Sequence, residues 1–307
     1  MNFGRSERMH TYGLSGKRKE FLWGWAFLLP TVIGLLILNI IPVFQTIWQS
    51  FFKTGAFGRG NQFIGIQNFV KLAADKTVWQ ALLNTCKYTL VEVPFSVIFA
   101  LIAAVLLNCN IRGRSAFRTI YFLPMVAAPA AVAMVWRWLY NSEFGLLNQL
   151  LQAIGGPRIN WISDPHIAFI SVAFVGVWSV TGYNMILFLA GLQEIPSDFY
   201  EAAEIDGASV IRQFFSITLP QLSATMFFVS VTRVMAALQV FDTFYIMIDR
   251  TNPAAYKTQS LVYLFYKYSF IESNKGYGSA IVLLLLAVIM IITAIQVYFQ
   301  KKWNASC

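Results

Sequence analysis

Six long apolar runs alternate with polar segments along the chain, at about 22–38, 82–107, 117–139, 167–190, 219–248 and 279–299. Each approaches or exceeds the ~20 residues that a helix needs to cross ~30 Å of hydrocarbon. The runs are continuous rather than alternating, which predicts helices and not barrel strands, because in lipid each run must satisfy its own backbone hydrogen bonds. The pattern therefore predicts an all-α polytopic membrane protein with six transmembrane helices. The segments around it divide into a basic N-terminal tail at 1–20, a single membrane domain at 21–302 and a short C-terminal tail at 303–307. The first run is too long for a removable signal peptide and lacks a small-residue cleavage pattern, so it reads as a retained helix.

Composition agrees with this class: 57% of residues are hydrophobic and only 12% charged, against about 25% charged in soluble domains. The net charge of +9 does not point to nucleic acid, because the basic residues sit beside apolar runs, where a lipid surface accounts for them. Arg5, Arg8, Lys17, Arg18 and Lys19 precede the first run, Arg112, Arg114 and Arg118 follow the second, and Lys301 and Lys302 follow the sixth. Six alternating spans put all three clusters on one side. The opposite loops spread Lys53, Arg59, Lys71, Lys76, Arg158, Arg250, Lys257, Lys267 and Lys275 over longer segments, so the bias predicts both termini in the cytoplasm.

Catalytic chemistry has no foothold in this sequence. Cys86 and Cys109 lie at opposite ends of one predicted helix, roughly 35 Å apart at 1.5 Å per residue, too far for a disulfide or a shared metal. His10 and His166 are the two histidines. Neither a glycine-rich phosphate loop nor a nucleophile elbow nor a catalytic carboxylate pair is present, so the expectation is a non-enzyme that holds no cofactor or metal.

The polar interruption between the fourth and fifth runs, about 191–219, stands out because it is acidic and helical in pattern. Pro196 and Ser197 introduce a first short helix with Ser197 as N-cap, and Asp198, Glu201 and Glu204 place negative charge near its positive end. Gly207 supplies a left-handed C-terminal turn. A second helix, about 208–216, presents Val210, Ile211, Phe214 and Phe215 toward the bilayer or the helix ends, and Pro220 begins the fifth span. The predicted result is an elbow lying across the inner membrane face.

Within this elbow Glu201, Ala202, Ala203, Gly207, Ile217, Leu219 and Pro220 match at full spacing the EAA signature, and the chain thereby resembles membrane subunits of binding-protein-dependent ABC importers. Phe122 to Asn148, Ile159 to Pro165 and Phe188 to Ser209 are similar to the carbohydrate-uptake branch of that family, and the likeness extends over Phe21 to Lys302. The resemblance implies a type I importer permease fold in which the elbow, through Glu201, Ala202, Ala203, Asp206, Gly207 and Pro220, seats in a cleft of a cytosolic ATPase. It also implies the partners: a second homologous permease, two copies of that ATPase, which bind ATP and Mg, and an extracytoplasmic solute-binding protein. The membrane implied is a bacterial or archaeal cytoplasmic membrane.

Intramembrane polar residues mark the expected path, since they are costly in lipid and face protein or a cavity. Arg233, Ala236, Ala237 and Val240 fall on one helix stripe. Counting without gaps from the EAA motif, the resemblance implies that these four, with Trp178, Ser179, Val180 and Tyr183, occupy the sugar-contacting faces of the corresponding helices in maltose-type members. Those members have small and amide side chains where this chain has Arg233, Ala236, Ala237 and Val240. A guanidinium in a dry path binds a carboxylate or phosphate as a forked pair, which points to an acidic, uronate-containing oligosaccharide; the same architecture also serves a neutral oligosaccharide or glycerol phosphate. Arg233 equally fits an ion pair with Glu92 or with an acid of a partner subunit. Trp178 and Tyr183 fit helix packing as well as sugar contact, Glu92 fits local packing as well as the path, and Gln239 and Asp242 fit bonds to neighbouring helices. Asp249 to Pro253 stands where relatives carry a glycine-rich turn, so a different loop geometry is expected there. A secondary transporter would bind its own coupling ion, and only Glu92 and Asp242 offer membrane acids for it; a scaffold protein would need no polar central path.

Overall fold

The computed structural model describes residues 14–55, 60–109, 112–249 and 251–304, with side chains described between residues 18 and 300. Most of the expected tails, with Arg5, Arg8, Arg59 and Arg250 and the side chains of Lys17, Lys301 and Lys302, lies outside the described residues. In chain order come α1 (Leu14–Leu35), α2 (Ile41–Gln49), the hairpin strands β1 (Phe52–Thr54) and β2 (Asn61–Phe63), α3 (Gln67–Ala74) and α4 (Lys76–Asn108). Then follow α5 (Arg114–Val126), α6 (Pro129–Leu139), α7 (Leu146–Ala153), α8 (Ala168–Gln193), α9 (Asp198–Ile205) and α10 (Val210–Gln213). The last are α11 (Leu219–Gln221), α12 (Ser223–Leu238), α13 (Asp242–Met247), α14 (Ala255–Thr258), α15 (Leu261–Tyr266) and α16 (Lys275–Asn304).

Among the described residues four stretches are long and apolar enough to cross a membrane unbroken, Arg18–Gln49, Lys76–Asn108, Ala168–Gln193 and Lys275–Gln300, and two bent pairs raise the number to six if each pair is one span. The run expected as one span at 117–139 is two helices bent by 100°. Its cause is Pro129, which holds Ala128 extended (ψ 130°) because a residue before proline avoids the helical region. The run expected at 219–248 is interrupted twice. A 65° bend falls at Leu222, and the chain leaves the helix again between Leu238 and Asp242, where Ser260 Oγ donates to the freed Val240 carbonyl at 2.8 Å. Pro220 does not begin a span but lies inside the helical stretch before the bend. A π turn at Phe214–Thr218 prepares for it: the Leu219 N–H reaches back to the Phe214 carbonyl, and the next residue has no N–H to place. The π turn Leu36–Ile40 does the same before Pro42.

The long helix α4 is the spine. Its buried positions Val78, Ala81, Thr85, Tyr88, Glu92, Ser96, Ala100, Ala103 and Leu107 recur every three or four residues, the spacing of a single helical face. That face packs along α8, with α12 beside them. At the end near the elbow, Ala104 and Leu107 meet Leu189, Leu192 and Leu222; at the opposite end, Val78 and Ala81 meet Leu261, Tyr277 and Ile281 of α15 and α16. Asp75 caps α4 through the Thr77 N–H at 2.9 Å and accepts from Tyr277 Oη at 2.7 Å. Burial raises the Asp75 carboxyl, and these hydrogen bonds outweigh it, so its pKa lies below the usual carboxylate value. None of the apolar window of Arg18–Gln49 is buried within this chain.

Two loop segments outside the elbow are fixed by side-chain hydrogen bonds. Asn148, 2% exposed, donates to the Ser142 and Ile159 carbonyls and accepts from Ile159 N–H and Trp161 Nε1–H, all within 3.1 Å. The Asp249–Pro253 segment contains no glycine. Asn252 Nδ2 donates to the Ile162 carbonyl at 2.9 Å while its Oδ1 accepts from Ala254 N–H, and Asp249 pairs with Arg137.

Candidate functional site

The elbow folds from local signals. Ser197 occupies the N-cap position of α9, yet its backbone is helical and its side chain makes no capping bond; its carbonyl accepts from the Tyr200 and Glu201 N–H groups instead. Asp198 and Glu201 lie in the first turn, where they complement the helix dipole. Glu204 does not, because α9 ends at Ile205 and puts it in the last turn. Beyond α9, Gly207 takes φ +73° and the chain closes a Schellman turn, Ala208 N–H to Ala203 O at 2.9 Å and Gly207 N–H to Glu204 O at 3.0 Å. The second helix is shorter than expected, since α10 gives way to the π turn at Phe214. Tyr200 Oη meets Thr218 Oγ1 at 2.9 Å, tying α9 to the stretch that leads into α12. Glu201, Ala202, Asp206, Gly207 and Pro220 are all exposed, and Ile205 and Val210 stand 87% and 79% exposed on either side of the turn.

A cleft of about 380 Å³ opens between α6, α8 and α12. Ser179 and Val180 line it from α8; Arg233, Ala236 and Ala237 line it from α12; Gln239, Val240 and Asp242 line it from the break that follows. Arg233 Nη2 donates to Glu92 Oε1 in an ion pair whose side chains are 15% and 0% exposed. Arg233 Nε and Glu92 Oε2 have no hydrogen-bond partner among the described residues. The pair thus joins α12 to α4 with the guanidinium at the cleft and the carboxylate behind it. Gln239 Nε2 bonds the Met235 carbonyl of its own helix at 2.9 Å, not a neighbouring helix.

Residues 96–305 match the family described as "Binding-protein-dependent transport system inner membrane component". The chain belongs to this family. It is 37% identical over 282 residues, covering 90% of this chain and 95% of the relative, to a probable ABC transporter permease protein, YurN, of Bacillus subtilis. It is 33% identical over 279 residues, 91% and 94% of the two chains, to the trehalose/maltose transport system permease protein MalF of Thermococcus litoralis. Among solved structures, a bacterial alginate ABC transporter in complex with alginate pentasaccharide-bound periplasmic protein superposes with a TM-score of 0.84 at 23% identity, over 94% of this chain and 97% of that one. The protein is a permease subunit of the carbohydrate-uptake branch, a transport component rather than an enzyme.

Six of the eight expected path residues of this permease converge on one cleft. Trp178 does not. At 100° per residue it points away from Ser179 and Val180, lines a separate apolar groove of about 690 Å³, and packs edge-on against Trp136 at 5.3 Å. Tyr183 follows Ser179 and Val180 by four and three residues, which continues their stripe one turn toward the elbow, and it is partly exposed. Asp242, out of phase with Arg233 on an unbroken helix, reaches the same cleft because the helix ends at Leu238. The sequence reading passed over Tyr88, which also lines the cleft. Its position four residues before Glu92, on the same face of α4, was the available signal.

Proposed function

We propose that this permease forms half of the translocation path for an oligosaccharide in an ATP-driven importer, and that the cleft between α8 and α12 is that half-path. The supporting observation is the convergence of Ser179, Val180, Arg233, Ala236, Ala237 and Val240 on one opening. Small side chains leave room there, and hydroxyl and guanidinium donors suit sugar oxygens. The elbow then seats on a cytosolic ATPase with both termini on the same side. Glu201 makes the charged contact, Ile205 and Val210 the apolar one, and Tyr200–Thr218 transmits the movement to α12. A second homologous permease, two ATPase copies and an extracytoplasmic solute-binding protein complete the assembly. Glu201→Lys and Gly207→Val are expected to leave insertion intact while ATP-driven uptake in reconstituted vesicles falls about tenfold or more, the factor that ~1.4 kcal/mol of lost coupling gives. Unaltered uptake in both variants overturns the coupling role.

The pairing of Arg233 with Glu92 cancels its charge, and Asp242 adds a negative one, so the cleft favours an uncharged oligosaccharide. An acidic, uronate-containing cargo is the second reading. It is favoured by the guanidinium lining the cleft, with Nε lacking a partner among the described residues, and it requires a sugar carboxylate to share Arg233 with Glu92. Competition between neutral and uronate-containing oligosaccharides separates the two. For an uncharged cargo, Arg233→Ala lowers uptake of both classes alike; for an acidic cargo it selectively removes uronate competition, and Glu92→Gln strengthens it.

A further inference from the structure

We propose that the elbow end of α5 and the apolar groove beside it form a binding site for an anionic phospholipid, whose phosphate sits between Arg114 and Arg118 and whose acyl chain lies in the groove. The site rests on the membrane embedding of the chain and not on the cargo. Arg114 and Arg118 are one turn apart on a single helix face, an arrangement in which like charges repel. They also occupy the first turns of α5, which contain no acidic residue, so they add positive charge to the positive end of the helix dipole. Both side chains are partly buried, and Nε of each and Nη2 of Arg118 are withdrawn from solvent with no hydrogen-bond partner among the described residues. Such a pair is stable where an anion bridges it, and guanidinium groups hold phosphate oxygens in forked, charge-assisted bonds.

The neighbouring surface decides what carries the phosphate. Two and three residues beyond Arg118, Ile120 and Tyr121 enter the wall of the 690 Å³ groove, which continues over Leu106 of α4 and Phe174 of α8 and is almost wholly apolar. Leu106 and Ile120 are 61% and 64% exposed, so the groove opens on the outer surface of this chain. A free phosphate has no use for that wall, and a polar protein segment would leave it uncovered. A phospholipid meets both halves, and basic clusters beside grooves between membrane helices suit anionic headgroups. The arginines lie at the elbow end, where Leu107 of α4 packs with Leu192 and Leu222, and the groove runs from Leu106 and Ile120 away from the elbow to Phe174 and Trp178 of α8.

The test uses the importer purified with its partner subunits, equilibrated with vesicles of phosphatidylglycerol or phosphatidylcholine and examined by native mass spectrometry for retained lipid. The wild type is expected to retain phosphatidylglycerol preferentially. Arg114→Gln with Arg118→Gln should lower that retention to the phosphatidylcholine level, roughly fivefold for each arginine. Ala131→Trp, which fills the groove and leaves both arginines in place, should lower it as well, and millimolar inorganic phosphate should not displace the lipid. Wild-type retention of phosphatidylglycerol in the double arginine variant overturns the site. Displacement by inorganic phosphate overturns it in favour of a free anion, and loss of the ATPase subunit with lipid retained overturns it in favour of a protein contact.

Discussion

Arg233→Met is expected to destabilise the permease by about 3 kcal/mol or more, the range found when one partner of a buried ion pair is removed. The variant leaves Glu92 with a carboxylate at 0% exposure and no counter-charge. Glu92→Gln should cost less, because the orphaned guanidinium is 15% exposed and borders the cleft, where it can turn to polar neighbours. Replacing both, Glu92→Met with Arg233→Met, should recover most of the loss, since apolar residues of similar volume often match a buried pair in stability. A double-mutant cycle from unfolding titrations in detergent reads the interaction as the departure from additivity. Single variants within about 0.5 kcal/mol of wild type, or strict additivity, would show that the pair does not hold α4 to α12. The loss of fold should be separable from the loss of uptake. The double variant is expected to be stable yet impaired in transport, because the cleft then lacks its guanidinium donors.

This pairing also shows which parts of the site were legible in the sequence. Val240 lies past the helix end and lines the cleft from the break. Arg233, Ala236 and Ala237 share a stripe in any continuous helix, and α12 is unbroken over 223–238, so that part of the stripe held. Ser179 and Val180 reached the cleft for the same reason. Trp178 did not, because one residue turns a side chain through 100°, and a helix in a bundle has a second neighbour on that side. Asp242 failed in the opposite direction: phase arguments assume a continuous helix, and the chain breaks before it. The long apolar runs were visible because the length of a span is set by the bilayer. The bend at Ala127–Ala128 was less visible, since proline marks either the first turn of a helix or a kink within one, and only the packing of α5 and α6 against α8 decides between them. In the elbow, Gly207 was readable because a left-handed residue suits glycine and little else. Tyr200 and Thr218 gave no such signal; their contact spans eighteen residues and exists only after the π turn has set the position of Thr218.

Gly182→Val should be the most damaging substitution of a single small residue in the membrane domain. A Cβ at Gly182 would overlap the carbonyl oxygen and carbon of Tyr121 and press on the Phe122 nitrogen at 3.1 Å. These are backbone atoms of α5, so no rotamer relieves the overlap, and the whole of α5 must move off α8. Overpacking in a core typically costs 1–3 kcal/mol where side chains can yield. With backbone on both sides the expected cost lies near the upper end, about 3 kcal/mol, with Gly182→Ala intermediate. Close backbone approach at a small residue is a general device for packing membrane helices, and here it positions α5, hence the turn at Ala127–Ala128 that borders the cleft. Uptake should therefore fall further than the amount of folded protein does. Gly24→Val is the control: Gly24 lies on α1 with nothing within 4 Å of an added Cβ, and the substitution should leave detergent-unfolding midpoints unchanged. Equal midpoints for Gly182→Val and Gly24→Val would mean that α5 does not rest on α8 at this point.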